Sequence, residues 1–186
     1  MATPPVFSAG AVLTAAQMNA VGLWEVNTTT LNGNTNIDNV FTSDYDNYRV
    51  VLSGLNNSST TTAGLDMAMR TSTTDTTANY YSQVYFQYGA AIGGMVSQNA
   101  ATVFRLGDFS NSSPAGATFV FDLLGPQAAL LTTFHGHRWA YQSNVATFVY
   151  ATIAGCMNTS TQYTGIRLSL TTGTLTGTCR IYGYRN

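Results

Sequence analysis

Leu65-Asp66-Met67-Ala68-Met69-Arg70 alternates large apolar side chains with polar or small ones, and this two-residue period decides the fold. Successive side chains of a strand point to opposite faces, so Leu65, Met67 and Met69 form one buried row. Outward from that stretch the period recurs. Tyr48, Val50 and Leu52 alternate with Arg49, Val51 and Ser53 until Gly54. Phe119, Phe121 and Leu123 alternate with Thr118, Val120 and Asp122 until Gly125-Pro126. Val84, Phe86 and Tyr88 make a further inward set, and Ile166, Leu168 and Leu170 another. Short strands are also expected at 103–106, 132–141, 146–153 and 178–184, with polar loops at 72–79 and 111–114 and a small-residue break at 89–94. That makes about nine short strands joined by turn-forming residues, with no helical period after Val21. Strands in sequence without crossover helices pair antiparallel. The expected fold is all-β, an antiparallel β-sandwich of jelly-roll type, with a closed barrel as second choice.

Composition agrees. The chain has 186 residues, 45% of them hydrophobic, which suits one domain with a sizeable core. Only 8% are charged: seven Arg, seven Asp, Glu25 and no Lys, for a net charge of −1. The polar surface is neutral instead, with 29 Thr, 15 Asn and 14 Ser. Thr, Val, Tyr and Phe favour a pleated, half-buried surface. Little net charge favours association. Seven dispersed Arg against eight acids do not make the basic stripe that displaces counterions from phosphate, so no nucleic-acid partner is expected. Ala117–Leu131 is the most apolar neighbourhood, and Asp122, Gly125, Pro126 and Gln127 interrupt it. No membrane partner is expected from such a run. Met1–Phe7 lacks a basic segment followed by an apolar one, so no secretory leader is expected.

The first 23 residues differ from the rest. Thr14 can cap a short helix, Gln17 can reach back to it, and Leu13 can pack on Met18, with Gly22 as the stop. A helix this short is marginal alone, so it must dock on something or fray. Two parts are expected: Met1–Leu23 as an arm and Trp24–Asn186 as the β domain.

Three segments resemble a pattern in virion proteins of tailed bacteriophages. Val6-Phe7-Ser8-Ala9-Gly10-Ala11-Val12-Leu13-Thr14-Ala15-Ala16-Gln17-Met18-Asn19 resembles the short arm that opens many phage fibre proteins. Phe41-Thr42-Ser43-Asp44-Tyr45-Asp46-Asn47-Tyr48-Arg49-Val50-Val51 is similar to their F-T-S-x-Y-D-N-Y-R-I strand. Gly173 to Asn186 is similar to their closing G-x-I-x-G-T-x-x-V-Y-G-Y-x-N. The resemblance implies a virion structural protein, assembled in the host cytoplasm as a homo-oligomer, commonly a trimer. It also implies an arm that docks on a neighbouring virion protein, for which Val6, Phe7, Val12, Leu13, Met18 and Val21 are the candidates. A tail fibre or tail-associated protein is the first expectation, and a head fibre or head decoration protein the alternative.

Candidate chemistry is sparse. Asp44 and Asp46 would share one face of a strand, as paired carboxylates in glycosidases must, but Asp46 and Asn47 fit side-chain to backbone bonds at a strand start better. No enzyme activity and no cofactor are expected. His135 and His137 project to one face with Trp139, a spacing that can chelate metal if further ligands are present, and none lies nearby. Glycan contact is the more natural reading, because aromatic rings stack on the apolar faces of sugars. Trp139, Tyr141, Tyr80, Tyr81 and Tyr85 are its candidates. Cys156 and Cys179 are expected as free thiols, and Met67 and Met69 as core or subunit interface.

Overall fold

The structure is a computed structural model; it describes residue 10 and residues 22–88, 91–111 and 116–184. The six arm candidates and the expected short helix lie outside the described residues. Within them the chain is all-β, with thirteen strands and no helix. In order these are β1 (Trp24–Asn32), β2 (Thr35–Ile37), β3 (Asn47–Asn57), β4 (Ala63–Thr71), β5 (Thr74–Asp75), β6 (Tyr80–Tyr88) and β7 (Ala91–Ala101). They continue with β8 (Phe104–Phe109), β9 (Ala117–Leu124), β10 (Thr132–Gln142), β11 (Thr147–Met157), β12 (Gly165–Leu170) and β13 (Leu175–Tyr184).

Every ladder is antiparallel. Eight strands form one sheet in the order β1-β13-β3-β9-β10-β11-β6-β7. The second sheet runs β2-β12-β4, with β5 and β8 both pairing β4. The two sheets share one core, built from alternate residues of each strand. Leu65, Met67 and Met69 of β4 meet Phe104 and Leu106 of β8, Phe119, Phe121 and Leu123 of β9, and Phe134 of β10, all at most 2% exposed. Phe104 lies edge-on to both Tyr80 and Phe134, with ring centres 4.7 and 4.6 Å apart, the geometry that the ring quadrupole favours.

The Phe41–Val51 segment closes a corner of this core. The Tyr48 hydroxyl donates to the Thr42 carbonyl at 2.9 Å and accepts the Thr42 amide at 2.7 Å, and the Tyr48 ring lies on Phe41 at 4.6 Å. Tyr45 crosses Tyr48 at 6.0 Å and covers Gly183, where any Cβ would overlap its ring. The register pairs Tyr48 with Gly183, so this segment and the closing strand form one packing unit. Arg49 grips Asp122 of the next strand with two bonds, of 2.9 and 2.8 Å.

Two readings of the sequence need correction. Of the expected break at 89–94, residues 91–94 are the start of an 11-residue edge strand, β7, and 89–90 lie outside the described residues. Its small residues are required by packing: a side chain at Gly93 would run into the Phe86 and Tyr88 rings, and the ladder bulges between Phe86 and Gln87. The expected loop 72–79 contains β5, whose Asp75 pairs in register with Arg70.

Gly136 lies at the centre of β10, where a methyl would overlap the Val120 carbonyl and the Phe121 backbone, neither of which can rotate away. We expect Gly136→Ala to cost about 2–3 kcal/mol. Thermal unfolding would then come roughly 5–10 °C lower, and an unchanged midpoint would refute the packing described.

Candidate functional site

β10 and β11 sort their side chains strictly by face. Inward come Phe134, Gly136, Arg138 and Ala140, and opposite them Val149, Ala151 and Ile153, all buried. Outward come His135, His137, Trp139 and Tyr141, facing Ala154, Thr152, Tyr150 and Phe148 in register. Among the described residues no strand of the second sheet lies on this outer face, and its rings meet one another there. Trp139 is 53% exposed and runs nearly parallel to Phe148, with ring centres 6.3 Å apart and an interplanar angle of 13°. Tyr150 stacks on His137 at 5.6 Å, and its hydroxyl shares a 2.7 Å hydrogen bond with His137 Nδ1. Tyr141 meets Phe148 edge-on. Tyr85 of β6, opposite Thr152, and Met95 of β7, opposite Tyr85, extend the platform and are well exposed. A groove of about 540 Å³ continues it past Tyr81, Gln83, Leu131, Thr133, Ala154 and Cys156.

Four of the five aromatic residues expected at a sugar-facing surface therefore share one face: Trp139, Tyr141, Tyr81 and Tyr85. Tyr80 does not. It points inward and is fully buried, its hydroxyl donating to the Thr76 carbonyl and accepting the Met69 amide, and burial pushes its ionisation up. Adjacent strand residues take opposite faces, so Tyr80 and Tyr81 cannot both be on the platform.

A second feature lies on the inner side. The eight-stranded sheet is wider than the one that covers it, and β8 is the last covering strand, lying across β6, β10 and β11. Beyond β8 the inner faces of β6 and β7 are incompletely roofed, and a cleft of about 510 Å³ opens there. Phe86 and Tyr88, half-buried and stacked 6.4 Å apart at 18°, form one wall. Gln98, Arg105, Asp108, Arg138, Gln142 and Asn144 supply polar groups.

The two cleft arginines differ sharply. Arg105 is paired: its Nε is 2.7 Å from Asp66 Oδ1, and its Nη1 donates to Asp108 Oδ1 at 3.2 Å. Arg138 is 2% exposed and has no ion pair among the described residues. Its Nη1 donates to the Asp108 carbonyl, which also accepts Gln142 Nε2 at 2.9 Å, while its buried Nε has no partner there. The side chain lies across Gly107, where a Cβ would overlap it. Burial pulls the Arg138 guanidinium down to about 10, against a smaller opposing pull from Asp108. Arg70 shows what a compensated buried arginine looks like here. Asp38 bonds its Nε at 2.6 Å, Asp75 its Nη1 and the Thr73 carbonyl its Nη2. Burial lowers that group too, but the two aspartates outweigh it and the net displacement is upward.

The other candidates separate from both features. Among the described residues no group of three or more His, Cys, Asp or Glu is placed to hold a metal ion. Asp44 bonds Thr42 Oγ1, and Asn47 Oδ1 accepts the Gly125 amide, whose other acceptor is the Asp46 carbonyl. Met67 and Met69 are core residues. Sequence reasoning missed the cleft, although Arg138 was visible as a charge in the inward register of β10.

Cys179 is free and buried in the core, with its thiol pushed up to about 12, whereas Cys156 is free and half-buried on the outer groove. The thiolate is the reactive form. We expect iodoacetamide at neutral pH to alkylate Cys156 in the folded protein and Cys179 only after denaturation, as read by peptide mass mapping. Equal labelling of both in the folded state would contradict the burial described. In comparisons with protein-family models, curated proteins and solved structures, the chain matches none.

Proposed function

We propose that this chain is a non-enzymatic structural protein of a tailed-phage virion, a tail fibre or tail-associated protein that meets carbohydrate on the host surface. In this reading its two sheets are a β-sandwich of jelly-roll type, and residues 1–23 are the arm that fastens it to a neighbouring virion protein. The observation that carries the reading is the uncovered ring platform of Trp139, Phe148, Tyr150, Tyr141 and Tyr85. Rings fixed by a sheet, Trp139 and Phe148 nearly parallel among them, offer sugar faces a contact of low entropic cost, while the surrounding Thr and Gln side chains bond hydroxyls. A near absence of charge suits a neutral polyhydroxylated partner.

Three further observations support it. The Phe41–Val51 and Gly173–Tyr184 segments, which carry the resemblance, are interlocked through Tyr45, Tyr48 and Gly183. Five of the aspartates, Asp38, Asp66, Asp75, Asp108 and Asp122, are engaged with arginines, which favours a scaffold role for them over acid–base chemistry. Edge strand β7 contains neither charge nor proline, the usual devices against pairing with another chain, which favours assembly with further copies.

Purified full-length protein, fluorescently labelled, should adhere to host cells and compete with intact phage. Trp139→Ala, at an exposed position that leaves the core intact, should weaken adhesion about tenfold, equivalent to roughly 1.4 kcal/mol. Adhesion unaffected by this substitution would overturn the role of the platform. Release of new reducing ends from host polysaccharide would overturn the non-enzymatic assignment.

A further inference from the structure

We propose that the cleft beside β8 is a binding site for an acidic sugar, such as a hexuronate, whose carboxylate is received by the buried guanidinium of Arg138. The proposal stands on the cleft alone and extends carbohydrate contact to a place on the opposite side of the sheet from the ring platform. A guanidinium is a planar fork of five donors that matches a carboxylate in two parallel bonds. Arg138 spends one nitrogen on the Asp108 carbonyl and holds a buried Nε with no partner among the described residues. Leaving a buried donor unmade costs free energy, and leaving a buried charge without a counter-charge costs more. Arg105 and Arg167 also hold a buried Nε without a hydrogen-bond partner, but both are ion-paired with aspartates, and Arg70 is satisfied by two aspartates and a carbonyl, whereas Arg138 has no ion pair among the described residues. The nearest carboxylate of the cleft, that of Asp108, is turned to Arg105.

The rest of the cleft selects the kind of carboxylate. The stacked Phe86 and Tyr88 rings provide an apolar wall on which the face of a pyranose can lie. Around it, Gln98 Nε2, Gln142 Oε1 and Asn144 Nδ2 are the amide atoms left for a ligand's hydroxyls, since Gln98 Oε1 accepts from Ser82 and the Arg105 amide, Gln142 Nε2 donates to the Asp108 carbonyl and Asn144 Oδ1 accepts from Thr62. The volume of about 510 Å³ falls within the usual range for small-molecule sites and exceeds what a bare carboxylate fills. An acidic peptide side chain would satisfy Arg138 but leave the amides facing an aliphatic stem. The match of ring wall, amides and guanidinium favours the acidic sugar.

The test is titration of the isotope-labelled full-length chain with sodium glucuronate, followed by nuclear magnetic resonance of amide and arginine Nε–H signals. Saturable shifts should appear at β6, β8 and β10, including the Arg138 Nε–H, and glucose should bind at least about tenfold more weakly. Arg138→Met should abolish binding and Arg138→Lys should weaken it about tenfold, since lysine keeps charge but loses the fork. If Arg138→Met does not fold, Asn144→Ala at an exposed cleft position should lower affinity several-fold with the spectrum otherwise preserved. Equal affinity for glucose and glucuronate, glucuronate binding retained in folded Arg138→Met, or binding of acetate or N-acetylglutamate as tight as glucuronate would each overturn the proposal. Arg138 lies on the inner side of the sheet, opposite the ring platform. Loss of glucuronate binding with host-cell adhesion intact, or the reverse, therefore shows which of the two readings has failed.

Discussion

An eight-stranded sheet covered on one face by a narrower one leaves apolar surface uncovered, and both candidate functional features of this molecule follow from that mismatch. The second sheet buries the inner rows of β3, β9, β10 and β13 against Leu65, Met67, Met69, Ile166 and Leu168. It stops at β8, so the part of the inner face around Phe86, Tyr88 and Val96 borders an open cleft. It lies on one side only, so among the described residues no second layer covers the outward residues of β10 and β11. Those outward positions hold Trp139, Tyr141, Phe148 and Tyr150, where an ordinary solvated sheet face would carry polar residues. Contiguous exposed apolar surface of this kind marks contact with a partner.

Charge is used with equal economy. Arginine–aspartate pairs hold the sheets at fixed points: Arg49 to Asp122 within the large sheet, and Arg70 to Asp38 and Asp75 at the far end of β4. Arg105 ties β8 to β4 through Asp66, whose carboxyl is pushed upward chiefly by burial, with Arg105 opposing. Exposed pairs of this type contribute little stability, while buried ones fix register at the risk of leaving a charge unmatched when a partner is missing. Arg138 is that unmatched case. Its guanidinium is buried without an ion pair among the described residues, and it lines the cleft.

Much of this was legible in the sequence, and the limits have physical reasons. The alternation in Leu65–Arg70, Tyr48–Ser53 and Thr118–Leu123 located strands and their inner faces, because burial on one side imposes a period of two. The same alternation placed His135, His137 and Trp139 on a common outer face. It failed at Ala91–Ala101, where Gly93 and Gly94 lie beneath Phe86 and Tyr88 and the strand is held by backbone pairing, which leaves no side-chain period to read. Tyr80 was misplaced because aromatic type was weighed above strand parity, and parity puts it opposite Tyr81. Arg138 sits two residues from Gly136 and two from Ala140, in the inward register. Its presence there was the available signal for the cleft, but which sheet edge it would lie under is a matter of strand order, and strand order depends on long-range pairing that local sequence does not encode.

The proposed role is that of a scaffold that works where it is mounted, through surfaces left open by its architecture. Antibody against the folded domain, bound to intact virions and viewed by electron microscopy, tests that most directly. Label at the tail of the particle is the predicted result. Particles without label, with the polypeptide recovered only in the free soluble fraction of the lysate, would contradict it.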